Sequence, residues 1–175
     1  IFYMRIEEEL KLDYSDVLFR PKRSTLKSRK EVDLNRTYKF KHSSIEWTGV
    51  PIIASNMDGV GEIDLALKLG EHSMLTALTK QHTSDKINTI NNIQQISNFL
   101  ALSCGTSNES YERLNKALEQ FNTIQFICID VANGYSENFS HFISSVRNKY
   151  PNKTIIAGNV VTADMTQELI LSGAD

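Results

Sequence analysis

The sequence predicts an α/β protein, a (β/α)8 barrel of which about the first five βα units are present. Short apolar segments recur roughly every 23 to 29 residues, which leaves room in each interval for a strand, a loop and one crossover helix. Each segment is apolar without alternation, as in strands of a parallel sheet that are buried on both faces. The segments begin at Pro51, Met74, Phe99, Phe126 and Thr154.

The bulk composition is that of an ordinary globular protein, with 175 residues, 41% of them hydrophobic and 23% charged. The net charge of -2 argues against a general binder of nucleic acids or membrane surfaces, because both are negatively charged. Apolar runs are shorter than the ~18 to 20 residues that cross a bilayer, so we expect a soluble protein. Cys104 and Cys128 lie in or beside predicted core strands, which favours reduced thiols in a cytoplasmic protein.

The first 49 residues lack the βα pattern and are predicted to form an amino-terminal cap. Within the cap, residues 20–30 are rich in lysine and arginine and contain no acidic residue. Such a segment is either a solvated surface strip or a phosphate clamp, because arginine and serine donate hydrogen bonds to phosphate oxygens. Alternation of apolar and polar residues then predicts a short hairpin that covers a sheet edge or closes the barrel; its apolar residues are Val32, Leu34, Tyr38 and Phe40.

Residues 50–175 are predicted to hold the five βα units, and a helical pattern follows each strand. The first helix begins at Ile63 after a glycine-rich turn and ends at Gly70. The second is capped by Thr83 or Ser84 and carries isoleucines about three residues apart on one face. The remaining helices are predicted at 107–120, 136–149 and 162–173.

A sixth strand is expected to begin at Asp175. Five strands cannot close an eight-stranded barrel, and an open parallel sheet exposes edges that can pair with other strands. We therefore expect this chain to be the amino-terminal portion of a larger enzyme, whose eight units would need ~250 residues.

Polar residues follow the predicted strands at their carboxyl ends, where the active sites of parallel α/β barrels lie. Asp130 could bind a ligand or cap a loop. Lys80 could stabilise developing negative charge, or it could form the Schiff base of an aldolase. Cys104 is better explained by core packing than as a nucleophile. The histidines lack metal-ligand spacing, so no metal site is predicted in this chain.

Three motifs at the strand ends point to one protein family more specifically than these single residues do. They are Ile53 to Gly61, Asp130 to Glu137 and Ala157 to Thr162, and with the opening Leu10 to Ser24 and the closing Glu168 to Asp175 they make the sequence resemble the GMP reductase family. The resemblance extends over nearly the whole chain from Met4.

The resemblance implies NADPH-dependent conversion of GMP to IMP and ammonia in purine salvage, by a cytoplasmic homotetramer. It implies that a cysteine attacks C2 of the purine and that hydride from NADPH completes the reaction. That cysteine, its assisting glutamate and threonine, a K+ site and most of the GMP phosphate site are expected beyond Asp175. The 175 residues alone are therefore expected to be inactive.

The resemblance also assigns roles to residues in this chain. Asp130, Val131 and Ala132 contact the cofactor, and Lys80 lies near the nicotinamide and supports the deamination. Ser28 and Arg29 reach the NADPH of a neighbouring subunit, and the substrate-proximal residues are Asn56, Met57, Asp58 and Asn159. Three positions depart from the family pattern, namely Gly59 in place of a threonine and Thr79 and Gln81 in place of histidines.

Two alternatives remain open. An IMP dehydrogenase-like oxidoreductase usually carries an inserted domain after the second strand, whereas only residues 81–98 separate the second and third strands here. The second alternative, from a different class, is a non-catalytic nucleotide-binding half-barrel, which the open sheet edges disfavour. GMP is the expected partner, with neither nucleic acid nor membrane.

Overall fold

The computed structural model describes residues 6, 8, 10–82, 87 and 93–175. The chain divides into two compact units, Ile1–Asp33 and Leu34–Asp175. The described part of the first unit contains the 3₁₀ helices Tyr14–Asp16 and Arg29–Glu31. The division into a cap of residues 1–49 and a barrel portion of residues 50–175 stays a prediction.

The described part of the second unit forms one sheet whose strands follow each other in chain order. The strands are β1 (Arg36–Lys39), β2 (Glu46–Ala54), β3 (Met74–Ala77), β4 (Leu100–Cys104), β5 (Phe126–Asp130) and β6 (Thr154–Gly158). Strands β2 to β6 pair in parallel, as the sequence predicts. The predicted hairpin is the antiparallel pair of β1 and the start of β2, in which Tyr38 lies opposite Trp47.

The crossover helices described by the structure agree closely with the predicted ones. They are α1 (Ile63–Glu71), α2 (Asn108–Gln120), α3 (Glu137–Lys149) and α4 (Ala163–Leu171). Side chains of Ser107 and Thr162 accept hydrogen bonds from the first turns of α2 and α4, which fixes where these helices begin.

The interval between β3 and β4 is described only in part. Ile87 is helical and fully buried, and a 3₁₀ helix spans Ile93–Phe99. The predicted caps Thr83 and Ser84 lie outside the described residues.

One helix boundary was predicted wrongly. Helix α1 continues through Gly70 to Glu71, and the chain turns at Ser73, whose φ is 58°. Gly70 serves close packing instead, because a Cβ at this position would lie 2.5 Å from Cγ2 of Ile96.

The core occupies both faces of the sheet. Along β5, Ile127 and Ile129 pack with the apolar stripes of the helices, while Phe126 and Cys128 pack with Trp47 on the opposite face. The first four residues of β5 are buried, as a strand covered on both sides requires. Each fully buried isoleucine stabilises the fold by about 1.5–3 kcal/mol relative to an exposed one.

The sheet face opposite the helices is apolar. A cavity of about 440 Å³ is lined there mainly by apolar side chains, among them Trp47, Leu75, Phe126 and Ile156. Ile53 borders it and is 54% exposed. This cavity is larger than the space around Lys80 but offers few polar groups, so we place the candidate chemistry elsewhere. Within the described ranges, none of the helices has the length and apolar character needed to cross a membrane.

Candidate functional site

Lys80 and Asp130 meet at the carboxyl edge of the sheet. Lys80 follows β3 and Asp130 ends β5, so β4 lies between the strands that carry them. The Lys80 Nζ atom lies 2.9 Å from Asp130 Oδ2 and donates a hydrogen bond of 2.7 Å to the Asp130 carbonyl oxygen. The two side chains are 37% and 29% exposed, so a ligand can reach both. An ion pair this exposed stabilises a fold by only about 0–1 kcal/mol, so stability does not explain it.

The loops after β5 and β6 are bound to each other beside this pair. Val131 donates to the Gly158 carbonyl at 2.8 Å, and the Asn159 amide donates to the Val131 carbonyl at 2.9 Å. Gly134 then donates to the Asn159 carbonyl at 3.0 Å. A Cβ at Gly134 would lie 2.7 Å from that oxygen, so the approach requires glycine. These bonds fix Asp130 relative to Asn159.

Tyr135 ties the same two loops together and was missed by the sequence analysis. Its phenol oxygen accepts hydrogen bonds from the amides of Val161 at 2.8 Å and Thr162 at 3.0 Å, at the start of α4. Hydrogen bonds from the Thr162 side chain and the Val161 amide lower the pKa of the Tyr135 phenol. No sequence pattern indicates this contact, because the two loops meet only in the folded sheet.

The predicted substrate-proximal residues after β2 form a tight turn. Amides of Val60 and Gly61 donate to the Met57 carbonyl at 3.0 and 2.8 Å. Met57 and Asp58 are exposed. The Asn56 Nδ2 atom is buried and has no hydrogen-bond partner among the described residues, which is uncommon for a buried amide and suits a site that binds a polar ligand.

A second turn presents Lys80, and it is attached to the first. The Thr79 amide donates to the Gly61 carbonyl at 2.9 Å, and the His82 amide closes the turn on the Thr79 carbonyl at 3.1 Å. His82 Nε2 also lies 3.0 Å from Glu62 Oε2. Sequence reasoning gave neither His82 nor Glu62 a role, since nothing in the order of residues joins positions 20 apart on different elements.

Ser28 and Arg29 belong to the first unit and are both exposed. The Ser28 hydroxyl accepts a hydrogen bond from the Lys30 amide at 3.3 Å and caps the 3₁₀ helix that Arg29 begins. The Arg29 guanidinium is thus carried on an ordered turn. Contact of these residues, and of the exposed Ala132, with a cofactor stays a prediction.

Both thiols are buried and reduced. Burial raises the pKa of the Cys104 thiol to about 12 and that of the Cys128 thiol to about 11, so neither is a thiolate at neutral pH. The charge of Lys80 lowers these values too little to change this result. Cys104 is therefore a core residue despite its place at the end of β4. Among the described residues no group of three histidine, cysteine or acidic side chains could hold a metal ion.

Comparison with known proteins identifies the family. Residues 11–175 match the model described as the IMP dehydrogenase / GMP reductase domain. The chain belongs to the IMP dehydrogenase / GMP reductase family. This family assignment confirms the resemblance carried by the strand-end motifs.

Individual members of the family agree with the assignment. A GMP reductase of Klebsiella pneumoniae subsp. pneumoniae is 51% identical and one of Citrobacter koseri is 50% identical, each over 98% of this chain and 50% of the relative. The chain thus spans about half the length of the curated relatives it matches. The crystal structure of inosine 5′ monophosphate dehydrogenase from Legionella pneumophila matches with a TM-score of 0.69 at 25% identity, over 92% of this chain and 48% of that one. The predicted barrel architecture is confirmed.

Proposed function

We propose that this chain is the amino-terminal portion of an NADPH-dependent GMP reductase, which converts GMP to IMP and ammonia. The observation that carries the proposal is the Lys80–Asp130 pair, which is ordered by two short contacts and still open to a ligand. The relatives at about 50% identity that bear the name GMP reductase support the choice of reaction.

The residues at the carboxyl edge fit a nicotinamide and a purine. NADPH, when bound, supplies the hydride that reduces the purine. The Asp130 carboxylate can accept hydrogen bonds from an amide such as the nicotinamide carboxamide, and the buried Asn56 amide can donate to a polar ligand. Val131, whose backbone is fixed by Gly158 and Asn159, positions the start of the Asp130 loop.

Lys80 supplies positive charge at a fixed point. Two hydrogens of its ammonium group face Asp130, which leaves a third available to a ligand. A cation that is already held in place stabilises negative charge in a transition state without the cost of reorganising. We assign Lys80 this supporting role in the loss of ammonia.

The nucleophile lies outside these 175 residues in this proposal. Cys104 and Cys128 are the chain's two cysteines, and burial keeps both as thiols. The proposal therefore places the attacking cysteine and the K+ site in a further segment, and the isolated chain is inactive. Exposed Ser28 and Arg29 contact the NADPH of a neighbouring subunit, so the working enzyme is a homo-oligomer, a tetramer in our proposal, in the cytoplasm.

An IMP dehydrogenase-like reaction is the second candidate, and the match to the Legionella pneumophila dehydrogenase favours it. The two reactions are distinguished by which purine nucleotide and which cofactor the protein consumes. The complete protein is mixed with NADPH and GMP, and the loss of NADPH absorbance and the release of ammonia are followed together; IMP with NAD+ serves as the parallel assay. We expect one ammonia per NADPH oxidised. Reduction of NAD+ by IMP without ammonia release would overturn the proposal in favour of the dehydrogenase.

A further inference from the structure

The turn that presents Lys80 is anchored by its neighbours. Thr79 is 5% exposed, and its amide is held by the Gly61 carbonyl at 2.9 Å. The bond from the His82 amide to the Thr79 carbonyl, at 3.1 Å, closes the turn over residues 79–82. Lys80 occupies the second position of this turn, so its backbone direction depends on where His82 is held.

The His82 ring is held by Glu62. Its Nε2 atom lies 3.0 Å from Glu62 Oε2, and the ring is only 8% exposed while Glu62 is 43% exposed. An Nε2–H donates to the carboxylate in this geometry, because a carboxylate oxygen accepts. A hydrogen bond to a charged partner is stronger than one between neutral groups.

Glu62 is available for this contact because it does not cap its own helix. It stands at the cap position of α1 with an extended backbone, and its side chain makes no capping hydrogen bond. Its carbonyl accepts from the Ala66 amide at 2.9 Å, so α1 fixes the place of the residue. The carboxylate is thus mounted on a helix and directed to the next turn of the chain.

The Glu62 contact is the polar anchor of the His82 ring among the described residues. The other ring nitrogen, Nδ1, is buried and has no hydrogen-bond partner within the described ranges. Loss of the Glu62 carboxylate would leave the buried imidazole without a polar partner among the described residues, which is unfavourable because a buried polar group loses its hydration and gains no hydrogen bond in return. The ring would then move, and with it the turn that the His82 backbone amide closes.

We propose that Glu62 and His82 form a positioning pair that keeps the Lys80 ammonium on Asp130. Its effect on turnover rests on the proposed GMP reductase function; its effect on the placement of Lys80 does not. Neither side chain is assigned a contact with substrate. The pair acts through the turn over residues 79–82.

The test compares two substitutions of Glu62 with a matched control in the complete protein. Glu62→Ala removes the acceptor, and Glu62→Gln keeps a neutral acceptor in the same place. Glu71→Ala is the control, because Glu71 is a glutamate on the same helix that makes an exposed contact of 3.2 Å with Lys68. The reaction of Lys80 with an amine-specific reagent is measured by peptide mass spectrometry, with Lys68 as internal reference in the Glu62 variants.

We expect Glu62→Ala to raise the labelling rate of Lys80 about fivefold, Glu62→Gln to restore most of the protection, and Glu71→Ala to leave it unchanged. Turnover with GMP should fall about tenfold in Glu62→Ala while the KM for GMP stays within about twofold. His82→Gln added to Glu62→Ala should cause little further loss, because both residues act through one contact.

Unchanged Lys80 labelling in a folded Glu62→Ala protein overturns the positioning pair, whatever the turnover. If Glu62→Ala does not fold, His82→Gln decides: Lys80 labelling in His82→Gln equal to that of the unsubstituted protein overturns it as well. Absence of ammonia release from GMP by the unsubstituted protein contradicts the proposed function alone, since the labelling comparison needs no turnover.

Discussion

An ion pair lies at each end of the parallel strands, one buried and one exposed. The amino ends of the strands form what we call the amino edge of the sheet, and the carboxyl ends form the carboxyl edge. At the amino edge, Asp175 and Arg147 pair with their side chains 0% and 13% exposed. At the carboxyl edge, Lys80 and Asp130 pair with side chains 37% and 29% exposed. The first pair is enclosed by the fold, and the second stands where a ligand can reach it.

The partners of the two pairs differ as much as their burial. The Asp175 carboxylate accepts hydrogen bonds from the amides of His42 at 2.8 Å, Ser43 at 3.2 Å and Ile155 at 3.0 Å as well as from Arg147. The Arg147 Nε atom donates to the Gly173 carbonyl, and its Nη1 atom lies within hydrogen-bond distance of the carbonyls of Tyr150, Pro151 and Lys153. Lys80 has only Asp130 as a partner among the contacts described for it. A buried pair with many partners inside the protein stabilises the fold, whereas an exposed pair with few partners can also bind a ligand. This agrees with the general division of barrels into a stabilising end and a catalytic end.

The largest effect that the comparison predicts is on stability at the amino edge. Asp175→Ala leaves the Arg147 guanidinium buried without its charge partner, and we expect a loss of about 3–5 kcal/mol in the free energy of unfolding. Urea titration followed by circular dichroism measures it. Asp164→Ala, at an exposed position in the first turn of α4, is the control and should cost less than about 1 kcal/mol. Equal losses of unfolding free energy in the two variants would show that the buried Asp175 contributes no more to stability than an exposed aspartate.

The second prediction concerns turnover and the carboxyl edge. Asp130→Ala in the complete protein should lower NADPH-dependent turnover about a hundredfold, because it displaces Lys80 and removes the proposed contact with the cofactor, and should change the unfolding free energy by only about 1 kcal/mol. The KM for NADPH and for GMP are measured separately, and the cofactor value should change more. An unchanged NADPH dependence would remove Asp130 from the site.

The third prediction concerns the thiols between the two edges. Burial raises their pKa values from 9.0 to about 12 for Cys104 and about 11 for Cys128, so the unfolded chain releases protons at a lower pH than the folded one. The free energy of unfolding should therefore be unaffected below pH 9 and fall as the pH rises from 9 to about 12. Unfolding free energies measured from pH 8 to 11 test this.

Cys128→Ala is the control for the thiol prediction, and its curve should fall less steeply between about pH 9 and 11. Tyr150, whose burial raises its pKa to about 12, adds to the fall above pH 10 in both proteins. Rapid modification of either cysteine by a thiol reagent in the folded protein at pH 8 would contradict their burial.

The smallest predicted effect is local. Tyr135→Phe removes the acceptor for the Val161 and Thr162 amides but leaves the ring, and Val161 is exposed enough for water to replace the phenol oxygen. We expect little change in unfolding free energy and faster hydrogen exchange at these two amides, measured by NMR. Exchange rates equal to those of the unsubstituted protein would show that Tyr135 does not join the two loops.

The sequence contains most of the information that sets the fold, because periodic features repeat along it. Unbroken apolar segments such as 126–129 mark the strands, and Ser107 and Thr162 mark where helices begin. Gly70 was misinterpreted because a helix end and a close helix contact both select glycine. Which of the two applies depends on Ile96, which is distant in sequence.

The candidate site was predictable only as a set of strand ends. Sequence order shows that Lys80 and Asp130 both follow strands, but only the pairing order β3-β4-β5 brings their side chains to 2.9 Å. No local sequence pattern predicts three further contacts, which are those of Glu62 with His82, Tyr135 with Val161, and Arg147 with Asp175. Each contact joins separate elements, so it follows from the register of the sheet and not from the residues around it.

Asp130→Asn and Asp175→Asn, measured side by side in the complete protein, test the division between the edges most directly. Each variant is assayed for the unfolding free energy and for NADPH oxidation with GMP per folded molecule. We predict that Asp130→Asn keeps its stability to within about 1 kcal/mol and loses most of its turnover, while Asp175→Asn loses about 3 kcal/mol and keeps its turnover per folded molecule. The reverse pattern, or equal losses of both quantities in both variants, would contradict the assignment of chemistry to one edge and stability to the other.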